Sequence, residues 1–232
     1  MHASMSAHDR RVASPADWGV YLVTDRGQTN GRPLLDVVAA ALDGGIRAVQ
    51  LRERDLPARR LFELATHMRA LTTYAGAALL INERVDVALA CAADGVQLPR
   101  HGMSIVDARQ LLGADRLIGV STHAPAEVAD AAAGGADFAV FGPIFDTPSK
   151  RAYGPPLGLD ALGAARAAAP RLPLFAIGGI DAARAAAVRG HGAAGSAVIR
   201  TVLGAADPAA AARALVRPPR DALRPEREDS GH

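Results

Sequence analysis

The stretch Gln50-Leu51-Arg52-Glu53-Arg54 sets an amide and two guanidinium groups at alternate positions. At a strand end, that spacing puts all three on one side. Together they form a forked donor array suited to a phosphate or carboxylate. The competing reading is a rim salt bridge from one arginine to Glu53 or another acid. Charges alternating in this way are hard to bury unless a ligand or counter-charge meets them. Asn82 ends another apolar run, either as the N-cap of a helix beginning near Arg84 or as an amide for ring recognition. Gln97 holds the position corresponding to Gln50 in a further run, where it lines a lumen or fills a polar layer. His123, beside Ser121, can act as acid or base near neutral pH. His101 and His191 lie in turn-like surroundings and read as surface residues. Thr147, Ser149 and Lys150 stand between prolines in the long connection after Gly142, where a lid would use hydroxyls and an ammonium to grip an anion. Gly178-Gly179, with the backbone amides around Ile199, read as a phosphate cradle, although a simple tight turn would also explain the two glycines.

These residues need a scaffold that brings distant parts of the chain together. Five short apolar runs, AVQLRER, ALLINE, LIGVSTH, FAVFGP and PLFAIGGI, each end in polar or glycine residues. Runs apolar at nearly every position suit strands buried on both faces. Strands are expected at 19–25, 48–53, 78–82, 95–99, 117–122, 137–142, 173–177 and 195–199. Helices are expected at 33–44, 57–74, 84–93, 104–112, 125–133, 158–168, 181–189 and 207–216. Eight of each in alternation is the count of an α/β fold of the single (β/α)8 TIM barrel type. A weak repeat, ALDGGIRAVQLR, ALACAADGVQLP and AAAGGADFAVFGP, supports it, with glycine suiting a left-handed helix C-cap before each strand. An open doubly wound sheet is the runner-up. Against it, the first strand leads into TDRGQTNGR rather than a Gly-x-Gly-x-x-Gly turn.

The 232 residues suit one large domain, and the hydrophobic half of them supplies a full core. Aromatic residues make up only 4%, so that core is aliphatic and alanine-rich. A net charge of +2 without a basic, aromatic-interleaved stripe argues against nucleic acid. No apolar run approaches a membrane span, and the first residues lack a signal-peptide core. The single Cys91 forms no internal disulfide, which fits a reducing, cytoplasmic location. The polar residues 1–17 and the Pro- and charge-rich 218–232 are expected to be disordered, leaving 18–217 as the catalytic domain.

In order and spacing, QLRER, INERVDVAL, DGVQLP, GVSTH, FGPIFDTPSK with GPPLGL, and AIGGI resemble the thiamine phosphate synthase/TenI family over residues 19–216. The resemblance implies a (β/α)8 barrel acting on the phosphorylated thiazole half of thiamine, and a possible homodimer. Two activities occur in that family. Synthases join hydroxymethylpyrimidine pyrophosphate to thiazole phosphate with Mg²⁺, and TenI members tautomerise the carboxythiazole phosphate. The resemblance assigns Gln50, Arg52 and Arg54 to pyrimidine and pyrophosphate binding, with arginine where synthases usually carry lysine at the last position. It assigns Thr147 and Lys150 to phosphate or pyrophosphate contacts, and Gly178 and Gly179 to the thiazole phosphate. Asn82 matches the amide after strand three, but Glu83 stands where synthases carry a Mg²⁺-binding aspartate. Pro99-Arg100-His101-Gly102 lacks the second metal-binding carboxylate, and Arg200 replaces a common serine.

Mg²⁺ is held by carboxylates together with substrate phosphates. Loss of one carboxylate, with Arg100 nearby, is therefore expected to weaken the metal site and to favour the tautomerase. On that expectation no metal or cofactor is needed. The phosphate rests on the amides near Gly178, Gly179 and Ile199, and Arg52 holds the carboxylate with help from Arg54 or Lys150. Gln97 lines the site, Ser121 adjoins His123, and His123 moves a ring proton. The alternative is a thiamine phosphate synthase in which Glu83 and water complete a weaker Mg²⁺ site. A third reading is a catalytically silent phosphate-binding barrel.

Overall fold

The computed structural model describes residues 13–147 and 154–216. Eight parallel strands close into a barrel in sequential order: β1 Val20–Val23, β2 Ala48–Leu51, β3 Ala78–Asn82, β4 Gly95–Leu98, β5 Leu117–Thr122, β6 Phe138–Phe141, β7 Leu174–Ile177 and β8 Gly195–Val198. Following the paired residues once around the ring from Tyr21 returns to β1 displaced by eight residues. That displacement is the shear of a TIM barrel. The (β/α)8 expectation is met, and the open sheet is excluded by pairing of β1 with β8.

The helices are α1 Leu34–Asp43, α2 Ala58–Tyr74, α3 Val85–Ala90, α4 Ile105–Leu112, α5 Pro125–Ala133, α6 Gly158–Ala168, α7 Ala182–Gly190, α8 Arg200–Leu203 and α9 Pro208–Val216. Their inward stripes follow the helical period; α1, for example, buries Leu34, Val37, Val38, Ala41 and Leu42. Several starts are chemically marked. Ser104 and Asp181 cap α4 and α7 through their side chains, and Pro125 opens α5. The one-turn α8 had no counterpart among the expected helices. It sits directly after β8, where such barrels often add a short helix at the phosphate site. The repeat's glycines divide in role. Gly45 and Gly135 take left-handed conformations (φ 103° and 85°) after α1 and α5, as expected of a C-cap. In the middle copy Ala92 takes that conformation (φ 52°), and Gly95 belongs to β4 instead.

Order begins before the expected boundary at residue 18. Ser14 caps a 3-10 turn over Pro15–Asp17, and the Trp18 indole donates to the Ala13 carbonyl at 2.9 Å. The expectations for residues 1–12 and 217–232 fall outside the described residues. Trp18 is buried against the start of the barrel, where Tyr21, Phe138 and Phe175 fill the lumen. Their ring centroids lie 5.2–5.9 Å apart, with Phe138 edge-on to the other three. A chain poor in aromatics has concentrated four of them in one plug. Gly119 leaves room for it, since a Cβ there would lie 2.2 Å from Phe138 Cζ. The plug closes the amino-terminal end, so polar side chains in the lumen belong to the opposite rim. Phe138→Ala should therefore cost about 3–5 kcal/mol, read as a lower urea midpoint with an unchanged slope; a shift of only a few tenths would show that the plug does not carry the barrel.

Candidate active site

Strand alternation carries Gln50, Asn82, Gln97 and Ser121 into the lumen above the aromatic plug. They form two hydrogen-bonded sets. Gln50 Nε2 donates to Asn82 Oδ1 at 3.2 Å. Tyr21 Oη donates to Gln97 Oε1 at 3.4 Å, and Gln97 Nε2 donates to Ser121 Oγ at 3.1 Å. Complete burial raises the Tyr21 pKa, so the phenol stays a donor and fixes the Gln97 amide. Because Ser121 Oγ accepts from Gln97, its own proton is left for a ligand. The Gln50 carbonyl oxygen and the Asn82 amino group are likewise left over. The rim thus offers an acceptor and donors to a flat, polar heterocycle.

Asn82 is not a helix cap. Arg84 precedes α3 and no side chain caps it, while Glu83 takes a left-handed φ of 65° and its amide donates to the Gln97 carbonyl at 2.9 Å. The side chain of Asn82 meets Gln50 across the lumen instead. Gln97 is buried in the lumen, as expected, and serves both as lining and as part of a polar layer.

β2 stops at Leu51, so Arg52, Glu53 and Arg54 lie on the turn beyond it. Glu53 is buried and binds neither neighbouring arginine. It accepts from Thr24 Oγ1 at 2.8 Å, from the Arg26 amide at 3.2 Å and from Arg26 Nη1 at 3.0 Å. Thr24 Oγ1 in turn accepts from the Arg52 amide at 2.9 Å. Among the described residues, the side chains of Arg52 and Arg54 form no ion pair. Burial and the charge of Arg54 lower the Arg52 pKa, with Asp25 and Glu53 acting in the opposite direction. A guanidinium keeps its charge even so. Two adjacent cations, one half-buried, are therefore left without a counter-charge among the described residues. The rim salt bridge exists, but Arg26 makes it.

His123 is exposed at the end of β5, and its backbone amide donates to Glu127 Oε2 at 2.7 Å. Its Nδ1 lies 2.5 Å from the Gly142 carbonyl, so Nδ1 carries the proton and Nε2 is the free nitrogen. Glu127 also pairs with Arg100 at 2.8 Å.

On the far side of the rim, Gly178 and Gly179 have φ of 103° and 64°. Their carbonyls accept from the Phe145 amide at 3.1 Å and from Arg184 Nη1 at 2.7 Å. The amides of Gly178, Gly179, Ile199 and Arg200 donate to nothing among the described residues. Side chains have no room at the glycines, because Cβ atoms would lie 2.7 Å from Pro143 Cβ and 2.9 Å from the Asp146 carbonyl. Unspent donors of this kind, held by engaged carbonyls, suit an anion. Arg200 turns away to meet Gln28 Oε1 at 3.2 Å. The Thr147 hydroxyl is buried without a hydrogen-bond partner among the described residues, on the loop packed against Gly178 and Gly179. Lys150 lies outside the described residues.

Sequence reasoning missed Tyr21, Thr24, Arg26 and Glu127. The first three belong to the run YLVTDR, which marked the first strand and its exit but gave no hint of a partner across the rim.

The thiamine monophosphate synthase family model matches residues 20–202. A Geobacter sulfurreducens protein, named provisionally a thiamine-phosphate synthase, is 54% identical over 206 residues, covering 88% of this chain and 96% of its own. A thiamine-phosphate synthase of Moorella thermoacetica is 46% identical over 198 residues, covering 85% and 94%. The solved thiamine phosphate pyrophosphorylase of Pyrococcus furiosus superposes with a TM-score of 0.78 at 34% identity, covering 87% of this chain and 95% of that one. These names overturn the expectation of a thiazole tautomerase, an isomerase with His123 as proton relay. That expectation rested on the loss of one carboxylate with Arg100 nearby; the carboxylate is still absent, but Arg100 is neutralised by Glu127, and Glu83 has no side-chain partner among the described residues. With its strand order, rim and relatives in agreement, the chain belongs to the thiamine monophosphate synthase family.

Proposed function

We propose that the protein is a thiamine-phosphate synthase, a transferase joining hydroxymethylpyrimidine pyrophosphate to thiazole phosphate. The observation that carries this reading is the pair of separate anion-binding features on one rim. Among the described residues Arg52 and Arg54 stand unpaired after β2, and unspent amides gather after β7 and β8. Two anionic substrates need two such places. Between them, Gln50, Asn82 and Ser121 supply the acceptor and donors that an aminopyrimidine ring requires. The thiazole phosphate rests on the amides of Gly178, Gly179, Ile199 and Arg200, with the Thr147 hydroxyl beside them.

In the coupling, the bond between the pyrimidine methylene carbon and the diphosphate oxygen breaks. The thiazole ring nitrogen donates its lone pair to that carbon, and pyrophosphate departs with the bonding electrons. No proton has to move. Arg52 and Arg54 oppose the charge that builds on the departing diphosphate, and fixed donors are most effective where charge develops. His123 holds the β6 exit through Gly142 rather than transferring a proton.

Glu83 fits Mg²⁺, because its exposed carboxylate has no other partner among the described residues and its backbone is pinned to β4. Mg²⁺ commonly takes only one or two protein carboxylates together with substrate phosphates and water. Among the described residues no group of three or more His, Cys, Asp or Glu is arranged to hold a metal ion by itself, so the substrate's own diphosphate would complete the set with Glu83. When bound, the ion neutralises the leaving diphosphate. No helix among the described residues is long and apolar enough to cross a membrane. The buried, unpaired Cys91 suits a reducing cytoplasm.

Supplied with both substrates and Mg²⁺, the purified protein should release pyrophosphate and form thiamine phosphate, and chelation of the metal should stop it. Absence of product under those conditions would refute the assignment. Arg52→Ala should lower turnover by about 10²-fold through lost stabilisation of the leaving group. His123→Asn preserves a donor toward Gly142 and should change turnover less than about tenfold, since a proton-transfer role is worth about 10²–10⁴-fold. A loss in that larger range would return His123 to the chemistry.

A further inference from the structure

A cavity of about 710 Å³ opens between the loops after β1 and β2, and its wall includes Asp25, Arg26, Arg52, Glu53, Arg54 and Asp55. Three acids and three arginines therefore share one small stretch of rim. Their pairing is uneven. Arg26 meets Glu53 Oε2 at 3.0 Å through Nη1, and Asp55 through both guanidinium nitrogens. Asp25 spends a carboxylate oxygen on the Gly27 amide at 3.0 Å. Among the described residues Arg52 and Arg54 form no ion pair, although they flank Glu53 in sequence.

We propose that Arg26 is a positioning residue for the coupling: by occupying Glu53 and Asp55 it keeps Arg52 and Arg54 unneutralised for the diphosphate. The inference rests on the synthase reading and adds to it a residue that need not touch substrate. Without the Arg26 guanidinium, two carboxylates next to the clamp would hold no cation. They would then either capture Arg54 or Arg52 or repel the incoming anion, and both routes weaken diphosphate binding. The anchoring is one-sided. Glu53 is buried and fixed by Thr24 Oγ1 and the Arg26 amide, so its charge cannot move into solvent. Arg26 reaches it from the neighbouring loop with 41% of its own side chain exposed. The carboxylates account for the raised pKa of Arg26, Asp55 contributing more than Glu53, and Arg26 in turn lowers that of Asp55.

The test is calorimetric titration of inorganic pyrophosphate into the full chain, alongside kcat and KM for coupling. Arg26→Met should weaken pyrophosphate binding by about tenfold, as expected from cancelling one cation of a clamp, and should raise KM for the diphosphate substrate more than it lowers kcat. The triple variant R26M/E53Q/D55N removes the released charges and should recover most of the affinity. Asp55→Asn alone, an exposed change that leaves Arg26 on Glu53, should bind pyrophosphate at least as tightly as the parent. Unchanged binding in Arg26→Met would overturn the proposal. So would a triple variant as weak as the single one, because Arg26 would then contact the anion itself or act only by holding the loops. Weaker binding in Asp55→Asn would overturn it by a route independent of how well Arg26→Met folds. Failure of the parent to bind pyrophosphate would sink the clamp itself. Pyrophosphate binding without coupling activity would sink the synthase assignment while leaving the role of Arg26 decided by the variants.

Discussion

Because the eight strands close on one another with a register displacement of eight residues, every second side chain of each strand must enter a lumen of limited width. At the amino-terminal end that space is taken by Trp18, Tyr21, Phe138 and Phe175. Toward the other end the same alternation delivers Gln50, Asn82, Gln97 and Ser121, which have no free choice of partner. Confined beside one another, they hydrogen-bond in pairs. Tyr21 belongs to both layers, with its ring in the plug and its hydroxyl on Gln97. The fold and the polar orientation of the site are thereby linked through one side chain. A hydroxyl with no water to bind must find an acceptor, and the acceptor it finds sets which way the next amide points.

The rim obeys a different constraint. Beyond the last paired residue of each strand, alternation no longer dictates direction, and charges settle according to which partners lie across the neighbouring loop. Glu53 leaves its sequence neighbours for Thr24 and Arg26, and Arg100 crosses from the β4 exit to Glu127 on α5. What remains unpaired is then informative. Among the described residues, Arg52, Arg54, Glu83 and the amides of Gly178, Gly179, Ile199 and Arg200 are spare because other groups have already been satisfied. The site proposed for two anionic molecules and a divalent ion is, in this molecule, what pairing elsewhere leaves over.

This division explains what the amino-acid sequence made legible. Strands buried on both faces leave contiguous apolar runs, so the barrel and the lumen positions of Gln50 and Gln97 could be read directly. Period-two alternation needs no knowledge of the rest of the chain. Helix α8 escaped because one turn has no amphipathic period to detect, and Ala92 escaped because nothing in its type announces a left-handed turn. Whether Asn82 caps a helix or faces a ring turned on the backbone of Glu83, which sequence does not display. The charged partners of Glu53 and Arg100 were hidden for the same reason: Arg26 and Glu127 lie 27 residues away in each case, on separate elements.

Part of the error over activity has the same root, beside the carboxylate that Pro99-Arg100-His101-Gly102 does lack. Arg100 read in isolation is a cation beside a metal site, and a cation there argues against Mg²⁺. Paired at 2.8 Å with Glu127, it presents little net charge to anything bound at the rim. Glu127 also receives the His123 amide, so the residue taken for a proton relay and the residue taken for a metal repellent are tied to one carboxylate. Both belong to the frame that joins the β4 and β5 exits. Once they are assigned to the frame, the groups left toward the rim among the described residues are anion donors, a heterocycle-sized set of amides in the lumen and the exposed carboxylate of Glu83. That inventory suits departure of a diphosphate better than transfer of a proton, since it is rich in groups that stabilise negative charge and its one imidazole is already engaged at Nδ1.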